Sequence, residues 1–558
     1  MLNFNILKDI FKVLLLILAV APAAAASDEA PVLAGTWVSV LPPVLAIVLA
    51  LTLRRVIPAL FAGIWLGAWI INGLSLGGLW HGLLETFQRY IHAALADGDH
   101  ATVILFSMMI GGMVGIISRN GGMQGIVNRI VAFADSVRHA SLATAAMGLA
   151  IFFDDYANTL VVGNTMRPVT DAKHISRAKL AYIVDSTAAP VACIALVTTW
   201  IGYEVGLIGD AIAGLSGLDT EAYLLFLHTI PYSFYPVLAI AFVLMVAWSG
   251  LDFGPMLRAE REARAHGVHD DLHLEAEQDP DFRPVEPAPG KPQRALNAII
   301  PVAVLVLGVM VGLYVTGRGS LDSPDPTLRE IIGAADSYKA LMWASFLGVL
   351  TAAAMTLVQR ILDVEEVINA WYQGLRSMLM ALIILVLAWS LGEITEILAT
   401  ADFLVAVLGD SLPPFTLPAL IFVLAALTAF ATGSSWGAMG ILIPLTVPLT
   451  WAVMQAQGLT SADDMHLLYS AIASVLAGSV WGDHCSPISD TTILSSLASG
   501  CNHIEHVRTQ LPYAVLVGLT GILAGSLPVA MGMPWWLGLA IGLVLLAIAL
   551  KLLGKPSG

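Results

Sequence analysis

Apolar residues dominate the chain in long stretches separated by short polar turns. They fall near 36–53, 56–76, 101–118, 140–163, 179–209, 223–249, 297–317, 334–358, 376–398, 415–432, 436–456, 468–482, 512–531 and 534–552. Most run to roughly 18–25 residues, enough for a helix to cross about 30 Å of hydrocarbon. The pattern predicts an all-α polytopic membrane protein with about 11–14 membrane segments. Several stretches contain Gly, Pro or an acid, so some are expected as broken helices or re-entrant hairpins. The first apolar run, Val13 to Val20, is too short to span. With Lys8 and Lys12 before it and Ala24-Ala25-Ala26 after it, residues 1–26 read as a signal peptide. An uncleaved first helix is the alternative.

One long stretch is polar. Residues 251–296 carry ten acids, six bases and several prolines, and predict a solvated linker with a short helix around Met256–His266. Its Lys and Arg residues favour the cytoplasmic side. The linker divides the spans into a first repeat, 36–250, and a second, 297–552. The halves echo each other weakly. Leu79-Trp80-His81-Gly82-Leu83 resembles Ala370-Trp371-Tyr372-Gln373-Gly374-Leu375. Phe153-Asp154-Asp155 with Gly163 parallels Phe430-Ala431-Thr432-Gly433-Ser434 with Gly440. Asp185-Ser186-Thr187-Ala188-Ala189-Pro190 parallels Asp483-His484-Cys485-Ser486-Pro487. Such symmetry with paired Gly/Pro interruptions predicts two inverted-topology repeats, as in secondary transporters.

Composition narrows the class. Of 558 residues, 58% are hydrophobic and 12% charged, against about 25% charged in soluble domains. The net charge of −15 argues against nucleic acid as a partner. Three cysteines without a CxxC pattern give neither a disulfide framework nor a zinc site. From 377 to 507 there is no Lys or Arg at all, so the second half attracts positive charge. An anion would have to rely on helix N-termini, or on Arg167 and Lys179.

The chemistry lies in polar residues inside apolar stretches, where a charge costs about 2.5–3.5 kcal/mol on insertion scales. Asp154 and Asp155 are adjacent, and Asn158 stands at i,i+4 and i,i+3 from them, so on a helix one amide neighbours both acids. Adjacent carboxylates at low dielectric cannot both stay charged cheaply, and a proton or a Na⁺ relieves the same oxygens. A helix end at the interface is the other reading. Pro190 opens the helix one turn back and frees carbonyls beside Asp185, Ser186 and Thr187. Those oxygens suit a hard cation, or serve simply as a cap. Asp483, Ser486 and Asp490 share a helical face at i,i+3,i+7, with Ser489 and Thr491 around them. Thr432 and Ser434 sit among glycines, equally suited to a ligand or to close helix packing. Glu393 is a lone acid in an apolar span and a candidate proton carrier.

Long strings resemble the NhaC-type sodium/proton antiporters of the ion-transporter superfamily. They are Phe153-Asp154-Asp155-Tyr156-Ala157-Asn158, Ser176 through Pro190, and above all Trp481-Gly482-Asp483-His484-Cys485-Ser486-Pro487-Ile488-Ser489-Asp490-Thr491-Thr492. The resemblance spans about residues 100–550. It implies a secondary transporter with inverted repeats and broken hairpins, coupled electrochemically. No Walker-type motif is present to argue for ATP.

The expected function is therefore Na⁺/H⁺ antiport in a bacterial inner membrane. Asp155, Asp185, Asp483 and Asp490 would alternate between Na⁺ and H⁺, with Asp154, Asn158, Ser486 and Thr491 in support. The alternative is Na⁺- or H⁺-coupled movement of an organic acid or amino acid, since the family includes such exchangers. No cofactor is expected beyond Na⁺ as transported or coupling ion, and a homodimer is a candidate assembly. An intramembrane aspartyl protease would need paired YD and GxGD motifs, which the acids here do not form.

Overall fold

A computed structural model of the protein describes residues 33–557, apart from 54, 132, 219, 269–285, 322–324, 329–330, 332–333 and 409–412. The segment read as a signal peptide and the middle of the linker lie outside the described residues. The fold is all-α. Its one sheet among the described residues is a two-residue antiparallel pair of β1 (Leu251–Asp252) with β2 (Lys555–Pro556).

Eight described helices are long and apolar enough to cross a membrane, and a ninth span arises if Ala222–Tyr232 and Phe234–Ser249, bent by 49°, count as one. That is fewer than the 11–14 segments the apolar pattern predicts. Two of the expected spans, Trp37–Ala50 and Val56–Ile71, are shorter helices. Others are cut by caps and prolines into pieces. The uncut helices differ in depth. Ser435–Ala456 is 78% buried by protein, whereas Trp535–Leu553 is 22% buried. The outer helix presents Trp536, Val544, Leu545 and Ile548 outward, an apolar face suited to lipid.

The cuts recur in the same order in both halves. In the first, α1 (Val137–Ala150) is separated from α2 (Asp155–Ala172) by a four-residue break, and α3 (Arg177–Ser186) is separated from the one-turn α4 (Ala189–Ala192) by Thr187-Ala188. Pro190, in the first turn of α4, has no N–H to extend the ladder backwards. After α4 the chain passes into α5 (Ile201–Ala213). The polar segment begins with β1 and α6 (Gly254–His266). In the second half, α7 (Leu417–Thr432) stops at Gly433 and α8 (Ser435–Ala456) starts after it. Next, α9 (His466–Cys485) stops before Pro487 and α10 (Asp490–Ser499) follows. Then α11 (His503–Thr520) begins a 28-residue span to Ala530.

The paired breaks share their local geometry. Asp154 caps α2 with φ −156° and ψ 125°, accepting from Ala157 N–H. Ser434 caps α8 with φ −150° and ψ 121°, accepting from Gly437 N–H. Both side chains accept from an otherwise orphan N–H at a helix start. Gly433 has a left-handed φ of 70°, and a Cβ there would lie 2.3 Å from the Ile488 carbonyl oxygen, so only glycine fits. Asp483, Ser486 and Asp490 therefore do not share one helical face. The chain leaves the helix at Ser486, and Asp490 restarts it.

The start of the polar segment is docked rather than solvated. Lys179 of α3, 2% exposed, places Nζ 2.7 Å from Asp252 and 4.0 Å from Glu260 of α6. Asp252 also accepts from Tyr513 OH at 3.0 Å, and Glu260 accepts from Ser176 N–H at 2.7 Å. Lys179, Arg264 (3.5 Å from Glu260) and several donors offset the desolvation of two buried carboxylates. Lys179 is thereby committed and is not free to hold an anion. Replacing it with Met leaves both carboxylates without that cation. We expect Lys179→Met to destabilise the protein by about 3–5 kcal/mol, read as a lower melting temperature in detergent. Lys179→Met with Asp252→Asn recovers part of the loss, and equal melting of wild type and single variant refutes the assignment.

Candidate cation site

The four breaks converge, bringing residues from both halves into one buried group. Asp185, at the end of α3, is surrounded by donors from the second half. Ser495 Oγ donates to Oδ1 at 3.1 Å, and Thr492 Oγ1 and Gln510 Nε2 donate to Oδ2 at 3.2 and 2.6 Å. His506 Nε2 lies 3.9 Å from the same oxygen. The Asp185 backbone carbonyl lies 3.1 Å from His484 Nε2, whose Nδ1 is 2.9 Å from Tyr235 OH. That engagement leaves His484 committed to the fold rather than to a metal.

Asp483 and Asp490 flank the second break. Thr491 Oγ1 donates to Asp483 Oδ2 at 2.6 Å, while Asp483 Oδ1 is buried without a hydrogen-bond partner. Tyr156 OH, from α2, donates to Asp490 Oδ2 at 2.7 Å, and Thr491 N–H donates to Oδ1. Asp490 N–H reaches the Gly433 carbonyl at 3.3 Å, tying the α9–α10 break to the α7–α8 break. Ser486 Oγ donates to the Phe430 carbonyl at 2.6 Å, and Ser489 caps α10 with its oxygen 3.1 Å from Thr491 Oγ1. Thr432 bonds back to Thr428, and Ser434 is spent as a cap.

Asp154 and Asp155 divide their roles. Asp154 is the α2 cap, and both oxygens of Asp155, 1% exposed, lack a hydrogen-bond partner. Asp154 and Asp490 are close enough to repel it electrostatically, and the Trp200 indole lies near without a hydrogen bond to it. Asn158 does not bridge the acids. Its amide donates to the carbonyls of Gly148 at 2.7 Å, Ile151 at 3.2 Å and Thr187 at 2.9 Å. One amide thus satisfies carbonyls released by both first-half breaks. The Thr187 carbonyl freed ahead of Pro190 is taken by that amide, and the Thr187 hydroxyl bonds back to Ile183. Ser186 is buried beside Tyr182.

Glu393 lies apart. Its charged neighbours are Arg89, Asp210, Glu396 and His100, none of them in the aspartate group. Four residues not singled out from sequence complete the site, Tyr156, Ser495, His506 and Gln510, together with Thr492 of the hydroxyl-rich string after Asp483. The i,i+4 pair His506 and Gln510 on an apolar helix was the available signal for two of them. Among the described residues, no three His, Cys, Asp or Glu side chains are placed to hold a metal through those groups alone. A monovalent cation would have to draw on hydroxyl, amide and carbonyl oxygens beside the carboxylates.

The Na⁺/H⁺ antiporter family model matches residues 191–526, more than half the chain. The chain belongs to the Na⁺/H⁺ antiporter family. The match includes Asp483 and Asp490 and begins just after Pro190, so Asp154, Asp155 and Asp185 lie outside it. A Haemophilus influenzae protein of uncharacterised function is 32% identical over 519 residues, covering 92% of this chain and 95% of its own. An uncharacterised Na⁺/H⁺ antiporter of the same organism is 33% identical over 106 residues, 18% of this chain and 20% of that one. The arginine/ornithine antiporter ArcD of Halobacterium salinarum is 33% identical over 112 residues, 19% and 21% respectively. The fold is similar to that of the Alcanivorax borkumensis YdaH transporter, with a TM-score of 0.53 and 15% identity over 83% of this chain and 91% of that one. This antiporter-family protein is a multi-pass membrane protein and a secondary transporter.

The Asn158 amide makes a direct test of the first-half breaks. Asn158→Leu keeps the volume and strips three buried carbonyls of a donor. We expect a loss of about 3 kcal/mol or more in stability, measured as a drop in melting temperature. Unchanged melting would show that the breaks do not need the clamp.

Proposed function

We propose that the protein exchanges Na⁺ for H⁺ by alternating access, with the two cations competing for Asp155, Asp483 and Asp490, while Asp185 holds the two halves in register. The observation that carries this reading is the set of buried acceptors without a donor. Both oxygens of Asp155, Oδ1 of Asp483 and Oδ1 of Asn158 have no hydrogen-bond partner. An isolated buried carboxylate is costly, by several kcal/mol even after relaxation. A hard cation coordinated by these oxygens, or a proton on one of them, removes that cost. Both cannot do so at the same oxygens together, which is the requirement for coupled exchange. Among the described residues, none of the three acids has a Lys or Arg ion pair, so the group is open to an incoming positive charge.

A second reading, coupled transport of a small organic solute, is favoured by the relative named as an arginine/ornithine antiporter. An anionic solute fits less well, because Lys179 is paired with Asp252 and Arg177 with Asp171 at 3.2 Å. In proteoliposomes a Na⁺ pulse should drive protons the opposite way. Asp483→Asn or Asp490→Asn should lower that flux at least about a hundredfold, with melting temperature and gel-filtration profile retained. As pH falls below the carboxyl pKa, apparent Na⁺ affinity should weaken by about tenfold per unit for one competing proton. Proton flux indifferent to Na⁺ overturns the reading. Solute uptake with the same acid dependence would install the second one.

A further inference from the structure

Glu204 is a buried carboxyl that the aspartate group does not use. It stands in the first turn of α5, is fully buried, and neither of its oxygens has a hydrogen-bond partner. Its titratable neighbour is Cys193, a weak donor that meets neither oxygen in hydrogen-bond geometry. It has no Lys, Arg or His ion pair among the described residues. An ionised carboxylate in that position has nothing to offset its desolvation, so the neutral acid is the stable form.

Its place along α5 lies between two polar groups. The entry to α5 is tied to the first break, since Thr199 N–H donates to the Phe153 carbonyl at 2.9 Å. Trp200, one turn before Glu204, brings its indole near Asp155. At the other end of α5, Asp210 lies 3.3 Å from His100, which stacks on Trp389 at 3.7 Å. The side chains there are 14% and 25% exposed, unlike the sealed aspartates. Glu204 stands between the two groups, about 6 Å of helix from Trp200 and about 9 Å from Asp210.

We propose that Glu204 is a second proton-binding site, distinct from Asp155, Asp483 and Asp490, which passes protons along α5 between the aspartate group and the His100–Asp210 end. Its part in flux rests on the proton-coupled reading above, whereas its holding a proton does not.

Infrared difference spectroscopy of the purified wild type tests the protonation directly. A protonated carboxyl gives a C=O stretch above the amide bands, and Glu204→Gln should remove one such band while Asp155→Asn leaves it in place. Glu204→Asp, which keeps an acid at the position, should retain a shifted band and serves if the Gln variant does not fold. In proteoliposomes, Glu204→Gln should slow Na⁺-driven proton flux by about tenfold or more. Its Na⁺-induced rise in melting temperature should match that of wild type. A band unaltered in both Glu204 variants, or proton flux unchanged in Glu204→Gln, overturns the proposal. A wild type that moves no protons on a Na⁺ pulse but loses the band in Glu204→Gln sinks the antiport reading and the relay, and leaves Glu204 as a proton-holding site.

Discussion

The centre of this protein answers to one constraint: carboxylates are buried where, among the described residues, no lysine or arginine pairs with them. Burying such a charge alone costs more than most single interactions return. The protein meets that constraint differently at each acid. Asp185 is satisfied by a ring of hydroxyl and amide donors from the opposite half. Asp154 is satisfied by a helix start. Asp490 leans on a tyrosine and a backbone amide. Asp155 and one oxygen of Asp483 are left over. The contrast with Lys179, sealed against Asp252 and Glu260 at the edge of the same helix, shows that the fold can supply a cation where it needs a permanent one. At the central acids it does not.

The broken helices follow from the same demand. A continuous helix spends its carbonyls and amides on itself and offers a buried acid little beyond side chains. Interrupting it releases backbone groups at the depth of the acids, and each release has to be taken up. Asn158 takes up three carbonyls from two breaks, and Asp490 N–H takes up the Gly433 carbonyl. Within each half the two breaks are therefore braced against each other rather than merely adjacent. Glycine is required at Gly433 because the Ile488 carbonyl occupies the space of a Cβ, so the second-half crossing tolerates no side chain there.

Much of this was legible in sequence, and the physics says which part. Apolar runs with embedded Pro, Gly and acids announce membrane helices that break, and the paired strings around Asp154 and Ser434 announce that they break twice. The number of full spans was not legible, because a run of apolar residues reads the same whether one helix or two fill it. The cap at Asp154 shows why. Its carboxylate competes for backbone amides, and nothing in the local pattern says whether it ends a helix or sits within one. The same ambiguity set Asp483, Ser486 and Asp490 on one face when the chain turns between them. Long-range partners were out of reach altogether. Gln510 is hundreds of residues from Asp185, and only the packing of α11 against α3 makes them neighbours.

Helix α3 carries this logic from the edge of the protein to its centre. Lys179 stands near its start and Asp185 near its end, about 9 Å of helix apart. The first is locked to the polar segment through Asp252 and Glu260, and the second is locked to α10 and α11. Tyr513 of α11 donates to the same Asp252, so α3 is fastened to α11 near both of its own ends, once through Asp252 and once through Asp185. The α2 start meets the second half at the Tyr156–Asp490 bond. Asp155, with its two unpaired oxygens, rides on that element. On the exchange proposed above, a cation bridging Asp155 to Asp490 would add a tie there, and a proton on Asp155 would not. Such a difference lets the identity of the bound cation bias the equilibrium between conformations, which is what coupling requires.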